Sequence, residues 1–347
     1  MHRDFYSLED PSITIAIVGC GGFIGSHLLD AILSRTAWHI LGVDLNFSRI
    51  QKHIDNPRCR FRKEDIANAS VILDVASQPL VVNLAAICTP SRYMKEASLV
   101  IESNFMHPAA LASACEKSGA WLIHFSTSEV YGKTSAEALL LEEDITPLTL
   151  GSVRASRWSY ACAKQLAERW IASLPELHWT VVRPFNFIGP QMDFMPGVDG
   201  DGIPRVLANF CSSLVRNESL ALVNGGVARR CFTSVHDAVD FLFAVFANAA
   251  MANGQAFNVG NPHNEKTIAE LAQMMRVTYA RIAGVDLATV PQPHLVSGVD
   301  YYGEGYEDSL RRIPSAEKAE LLLGWKAKIS LDDALLESLE WFCKHYR

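Results

Sequence analysis

Tyr160 and Lys164 stand four residues apart in Arg157-Trp158-Ser159-Tyr160-Ala161-Cys162-Ala163-Lys164-Gln165. On a helix that spacing puts both side chains on one face. An ammonium beside a phenol favours the phenolate, whose ordinary pKa is about 10. A tyrosine so tuned can take a proton from a hydroxyl while a cofactor removes the hydride from the same carbon. Upstream, Ser126-Thr127-Ser128-Glu129 puts three hydroxyls and an acid after the apolar run Trp121–Phe125. At the C-terminal end of a parallel strand, such a cluster belongs at the mouth of an α/β site.

A second pattern supplies the cofactor. Gly19-Cys20-Gly21-Gly22-Phe23-Ile24-Gly25 carries glycines at 19, 22 and 25. The first allows a tight turn, the second lets backbone approach a pyrophosphate, and the third lets a helix pack on the sheet. The helix N-terminus then offers free N–H groups to phosphate. Asp44 follows Gly25 by 19 positions, where an acid accepts hydrogen bonds from an adenosine ribose. It would repel a 2′-phosphate, so NAD is expected rather than NADP. Asp65-Ile66 either meets the adenine or is an ordinary loop acid with its neighbour.

These residues need elements to hold them. β-branched and apolar runs at 13–18, 39–43, 60–62, 81–84, 121–125 and 179–182 read as strands. Helical patterns opening at Gly22 and spanning 109–118 and 161–174 alternate with them. The expected fold is α/β, a doubly wound parallel sheet of Rossmann type with a smaller C-terminal α/β domain. Residues 1–185 are read as the cofactor domain and 186–347 as mainly the substrate domain, with interleaving allowed. Residues 190–204 and 291–314 read as turn-rich loops.

Composition sets the remaining bounds. The 347 residues are 49% hydrophobic and 20% charged, with net charge −7. That length suits about two domains with a real core. The acidic balance argues against a nucleic-acid surface, though a few arginines can still collect an anion. The first residues do not form a signal peptide, and no apolar stretch is long enough to span a membrane. Eight scattered cysteines lack a zinc spacing and suit a reducing cytoplasm. No metal is expected.

Together these motifs, with Asn83-Leu84-Ala85-Ala86, Tyr131-Gly132, Arg183-Pro184-Phe185-Asn186 and Asn258-Val259-Gly260, resemble the extended short-chain dehydrogenase/reductase family. That resemblance implies NAD held by Gly19, Gly22, Phe23, Ile24, Gly25, Asp44, Asp65, Ile66, Leu84 and Ala85, with Tyr160 and Lys164 at the nicotinamide end. Tyr160 would be the base, Lys164 would bind the ribose and tune it, and Thr127 would bond the reacting hydroxyl. It also implies a homodimer, built on a helix bundle that includes the Tyr160–Lys164 helix.

Finer matches lie at residues 85–90, 125–134, 192–197 (Met192-Asp193-Phe194-Met195-Pro196-Gly197) and 303–309. They resemble the UDP-glucuronate-decarboxylating branch of that family, of the apiose/xylose-forming type. The polymyxin-resistance decarboxylases are similar too. This implies oxidation of UDP-glucuronate at C4, loss of CO₂ from the resulting β-keto acid, and UDP-apiose and/or UDP-xylose as products. Glu129 would be an acid, a base or a water-positioning group. Arg312 would bind or protonate near the leaving carboxyl, and Arg157 would hold the sugar. Arg205, Arg230 and Asn186 would meet the diphosphate, and Tyr306 the sugar. Two positions bear on the product. Cys88 matches a thiol of the apiose-forming enzymes or is a packing residue. Ser128 stands where those enzymes carry a second thiol. The alternatives are release of the UDP-4-keto-pentose, or a nucleotide-sugar 4-epimerase or dehydratase.

Overall fold

The computed structural model describes residues 6–134, 140–304 and 306–347. Gly305, within the 303–309 motif, and the first five residues lie outside the described residues. Seven strands form one sheet: β1 (Thr14–Val18), β2 (His39–Val43), β3 (Cys59–Arg62), β4 (Leu80–Asn83), β5 (Trp121–Phe125), β6 (His178–Pro184) and β7 (Gln255–Val259). Their order is β7-β6-β5-β4-β1-β2-β3, with every pairing parallel. This is the doubly wound sheet expected from the sequence.

Strand periodicity divides the core. Ile15 and Ile17 join one apolar cluster and Ala16 and Val18 the other, because successive side chains leave opposite faces. Helices α1 (Phe23–Arg35) and Val235–Ala247 send Leu28, Leu29, Ile32 and Phe241 into the first cluster. Ala69–Ala76, His107–Ser118 and Ser159–Ser173 supply Val71, Val75, Leu111 and Ile171 to the second. Each fully buried aliphatic side chain contributes about 1.5–3 kcal/mol.

The chain runs outward from β1 through β2 to β3, then returns to β4 beside β1. That reversal opens a crevice at the strands' C-terminal ends. Gly19 and Leu84 sit there: the Gly19 N–H donates to the Val43 carbonyl at 2.8 Å, and the Leu84 N–H to the Val18 carbonyl at 2.8 Å.

Beyond β6 the chain builds smaller sheets. Arg229–Cys231 lies between Glu265–Thr267 and Arg311–Arg312. The described residues of 291–314 hold more regular structure than their turn-rich composition suggests: His294–Val296, Gly298–Tyr302 and Arg311–Arg312. Each of these is too short for periodicity to announce it. β7 also escaped the sequence reading, because five residues within a polar stretch give little alternation. It pairs with β6 from Gln255↔Thr180 to Val259↔Pro184.

Candidate active site

The glycine turn closes over itself. Gly19 has φ 88, and a Cβ there would lie 2.9 Å from the Ala85 nitrogen. A Cβ on Gly25 would lie 2.1 Å from the Gly19 carbonyl oxygen. Gly22 caps α1, with Phe23 and Ile24 as its first two residues, and no side chain caps that end. The Asp44 carboxylate, at the end of β2, takes the Gly21 N–H at 2.9 Å and the Asn46 N–H at 3.0 Å. Asp65 is exposed and takes the Ala67 N–H at 2.9 Å, while Ile66 is buried. That contact is an ordinary turn bond of the loop before Ala69–Ala76.

One cleft then gathers Ile24, Leu84, Cys88, Thr127, Ser128, Glu129, Arg157, Tyr160, Lys164, Asn186, Arg205, Arg230, Tyr306 and Arg312. Residues far apart in the chain meet because β4, β5 and β6 end side by side. The Thr127 hydroxyl accepts the Glu129 N–H at 3.1 Å, fixing the turn that carries Ser128 and Glu129. Tyr160 and Lys164 lie one turn apart in Ser159–Ser173. Lys164 Nζ donates to the Phe125 carbonyl at 2.7 Å. Burial pushes this ammonium down to about 8.

The phenol corrects the sequence argument. Burial raises Tyr160 well above its ordinary value, the Cys88 thiol and the Glu129 carboxylate raise it further, and a Thr127 hydrogen bond opposes them. In the chain alone, desolvation outweighs any help from Lys164. The Tyr160 ring stacks on Tyr93, with centroids 4.7 Å apart. Cys88 packs against this same pair.

The charged groups are deeply enclosed. Arg157 Nη1 donates to Glu129 Oε2 at 2.7 Å, and Arg312 Nη1 lies 3.8 Å from Glu129 Oε1. Burial works to raise Glu129, but Arg157 and Arg312 prevail and hold its carboxyl below the ordinary range. Arg230 Nη2 meets Asp308 Oδ2 at 2.7 Å. Arg230 and Arg312 are direct partners in parallel register, so two guanidinium groups enter from adjacent strands. The Nε–H groups of Arg157 and Arg312 are buried without a hydrogen-bond partner. Unmet buried donors on cations favour an anionic ligand.

Asn186 adopts φ 41, and its Nδ2 donates to the Cys231 carbonyl at 3.0 Å. Tyr306 stacks on Tyr302 at 4.6 Å and donates to Asp308 Oδ2 at 3.3 Å. Sequence reasoning assigned no role to Tyr93 or Asp308. Asp308 lay inside a quoted motif, where its charge was the available signal. Tyr93 had no local signal, because only the folded chain lays it on Tyr160.

The chain matches the family described as "NAD dependent epimerase/dehydratase family" over residues 15–260. The chain belongs to the NAD-dependent epimerase/dehydratase family. Curated relatives include UDP-D-apiose/UDP-D-xylose synthase 1 of Arabidopsis thaliana, 41% identical over 96% of this chain and 92% of that protein. The UDP-D-apiose/UDP-D-xylose synthase of Oryza sativa subsp. japonica is 42% identical over 96% and 90%. Among solved structures, the PbgP3 protein from Burkholderia pseudomallei has a TM-score of 0.84 at 32% identity, covering 96% of this chain and 97% of its own. A Bacillus cereus UDP-glucuronic acid 4-epimerase, in complex with UDP-glucuronic acid and NAD, shares the fold at 22% identity. Its TM-score is 0.79, over 96% of this chain and 100% of its own.

NAD is the cofactor of the epimerase/dehydratase family, and this chain fits it. The close approach of Gly19 to Gly25 leaves backbone where side chains would crowd a pyrophosphate. Asp44 stands at the end of β2 beside that turn. Among the described residues, no His, Cys, Asp and Glu cluster could hold a metal ion, and no helix is long and apolar enough to cross a membrane.

Proposed function

We propose that this chain decarboxylates UDP-glucuronate through a UDP-4-keto intermediate, giving UDP-apiose and/or UDP-xylose. The observation that carries this reading is Glu129, buried between Arg157 and Arg312 in the cleft of Tyr160 and Thr127. Oxidation of a hydroxyl calls on Tyr160, Lys164 and Thr127 and on no buried carboxylate between two arginines. Glu129 with two arginines adds a site that handles a carboxylate. The names of the plant relatives support the same reading.

NAD, held by the glycine turn, Asp44 and Lys164, would supply the acceptor for the C4 hydride and its donor once the carboxyl has left. The chain's own groups do the rest. Tyr160 takes the C4 hydroxyl proton, with Thr127 orienting that oxygen. Lys164, anchored on the Phe125 carbonyl, holds the nicotinamide ribose. With a ketone at C4, the C6 carboxylate belongs to a β-keto acid, and loss of CO₂ leaves an enolate. Arg312 and Arg157 steady the carboxylate and then the enolate oxygen, and Glu129 handles the proton at C5. Arg205, Arg230 and Asn186 take the diphosphate, and Tyr306 the sugar. Residues 1–185 act as the NAD half and 186–347 mainly as the UDP-sugar half, with β7 interleaved.

NMR of the products from UDP-glucuronate and NAD tests the reading. CO₂ with a UDP-pentose is the expected result, and no CO₂ from a folded, NAD-loaded protein overturns it. The same spectrum decides a second reading. Ser128 offers a hydroxyl where ring opening toward apiose would gain from a thiol, whose ordinary pKa is about 8.5. This favours UDP-xylose or the free UDP-4-keto-pentose.

Two further assignments belong to this proposal. Leu99, Ile101, Met106, Leu166 and Trp170 are exposed on helices that pack together around Ser159–Ser173. That apolar face supports a homodimer. The eight free thiols suit the reducing cytoplasm.

A further inference from the structure

Arg205 occupies an awkward place for a cation. It is the N-cap residue of Val206–Val215, where the helix end carries partial positive charge. Arg157, Arg230 and Arg312 share its cleft. An unrestrained guanidinium there would swing toward water.

Asp193 prevents this from a loop behind the cleft. Its Oδ2 takes the Arg205 backbone N–H at 2.7 Å. Its two oxygens take the Arg205 Nε–H at 2.9 and 3.1 Å, and Oδ1 also takes an Nη2 hydrogen. One residue therefore occupies both carboxylate oxygens. Asp193 is part-buried, its side chain 14% exposed, and does not line the cleft. Its φ is 53, and that of Gln191 is 64, conformations side chains rarely hold unless neighbours fix them. The neighbour here is Arg49. Its Nε donates to the Gln191 carbonyl at 3.1 Å, Nη2 donates to the Asp193 carbonyl, and Nη1 reaches the Gly21 carbonyl at 3.5 Å. Gly21 in turn donates to Asp44 at 2.9 Å.

We infer that Asp193 is a positioning residue: it holds the Arg205 fork toward the diphosphate and, through Arg49, ties that fork to the glycine turn of the cofactor site. The inference rests on reading Arg205 as a diphosphate ligand. It gives a task to the Met192–Gly197 motif, in which Met192 lines the cleft and Asp193 stands behind it.

The test is a double-mutant cycle on the NAD-loaded protein, read by titration calorimetry with UDP. Asp193→Asn should weaken UDP binding about tenfold, the scale of one lost charge-assisted bond. The Asp193→Asn/Arg205→Ala double variant should bind no more weakly than Arg205→Ala alone. In turnover, Asp193→Asn should raise KM for UDP-glucuronate and leave kcat within about twofold. Parent-like UDP binding by Asp193→Asn, or additive losses in the double variant, would overturn the inference. If Asp193→Asn does not fold by circular dichroism, Asp193→Glu takes its place in the same cycle, since it keeps the charge and shifts the fork. A parent protein that binds UDP but releases no CO₂ would defeat the functional reading, while the UDP cycle would still judge Asp193.

Discussion

Arg157 and Arg230 each meet a carboxylate of the chain itself inside the cleft, at Glu129 and Asp308. A UDP-sugar that enters must therefore exchange partners with groups already paired, or use donors still open, such as the Nε–H groups of Arg157 and Arg312. Tyr160→Phe should cut UDP-glucuronate turnover by at least about 10²-fold, because only the proton acceptor is lost. UDP affinity measured by titration should stay near the parent value. Ser128→Cys should raise the UDP-apiose share in product NMR, and an unchanged mixture would show that this position does not set the product. The residues that meet in the cleft were legible in the sequence because Tyr160-x-x-x-Lys164 and Thr127-Ser128-Glu129 are compact signals. The phenol's environment was not. Burial and the stacked Tyr93 act across 67 positions of chain, and no spacing rule carries such a contact.

At the scale of elements, the small sheet that delivers Arg230 and Arg312 depends on Glu265. Its carboxylate takes Arg229 Nε–H at 2.6 Å and Arg311 Nε–H and Nη2–H at 2.9 Å each. Arg229 and Arg311 are the immediate neighbours of the two cleft arginines, so one acid clamps both strands from the opposite face. Hydrogen bonds from Arg311, then Arg229, hold Glu265 down at about 2 against an ordinary 4.5. A depressed carboxyl stabilises fully above its unfolded value and loses that contribution as pH falls through the folded value. Glu265→Gln should therefore unfold at lower urea than the parent at pH 7. The gap should close as pH falls from 4.5 toward 2. None of this was readable beforehand. The long parallel strands announced themselves through β-branched runs, but three strands of two or three residues do not.

Among the described residues, Leu166 and Trp170 are exposed on a helix packed against those that expose Leu99, Ile101 and Met106. Ala161, Ala163 and Ala167 of the same helix are buried within the chain, and Leu166 and Trp170 mark its exposed side. Trp170→Glu should convert a sedimenting dimer into a monomer with an unchanged circular dichroism spectrum. A parent protein that sediments only as monomer would remove the dimer. The fold class was legible at this scale because alternation of strand and helix needs no long-range knowledge. The return of β7 was not, since it follows β6 only after the second half has begun. Until β7 arrives, β6 has a bare edge of unpaired backbone groups, a template for pairing with another chain. During synthesis the seven-stranded sheet cannot close until residue 259 has left the ribosome. A nascent chain stalled or cut near residue 185 would carry a sticky edge and should aggregate more readily than the full chain, because a single late strand covers β6.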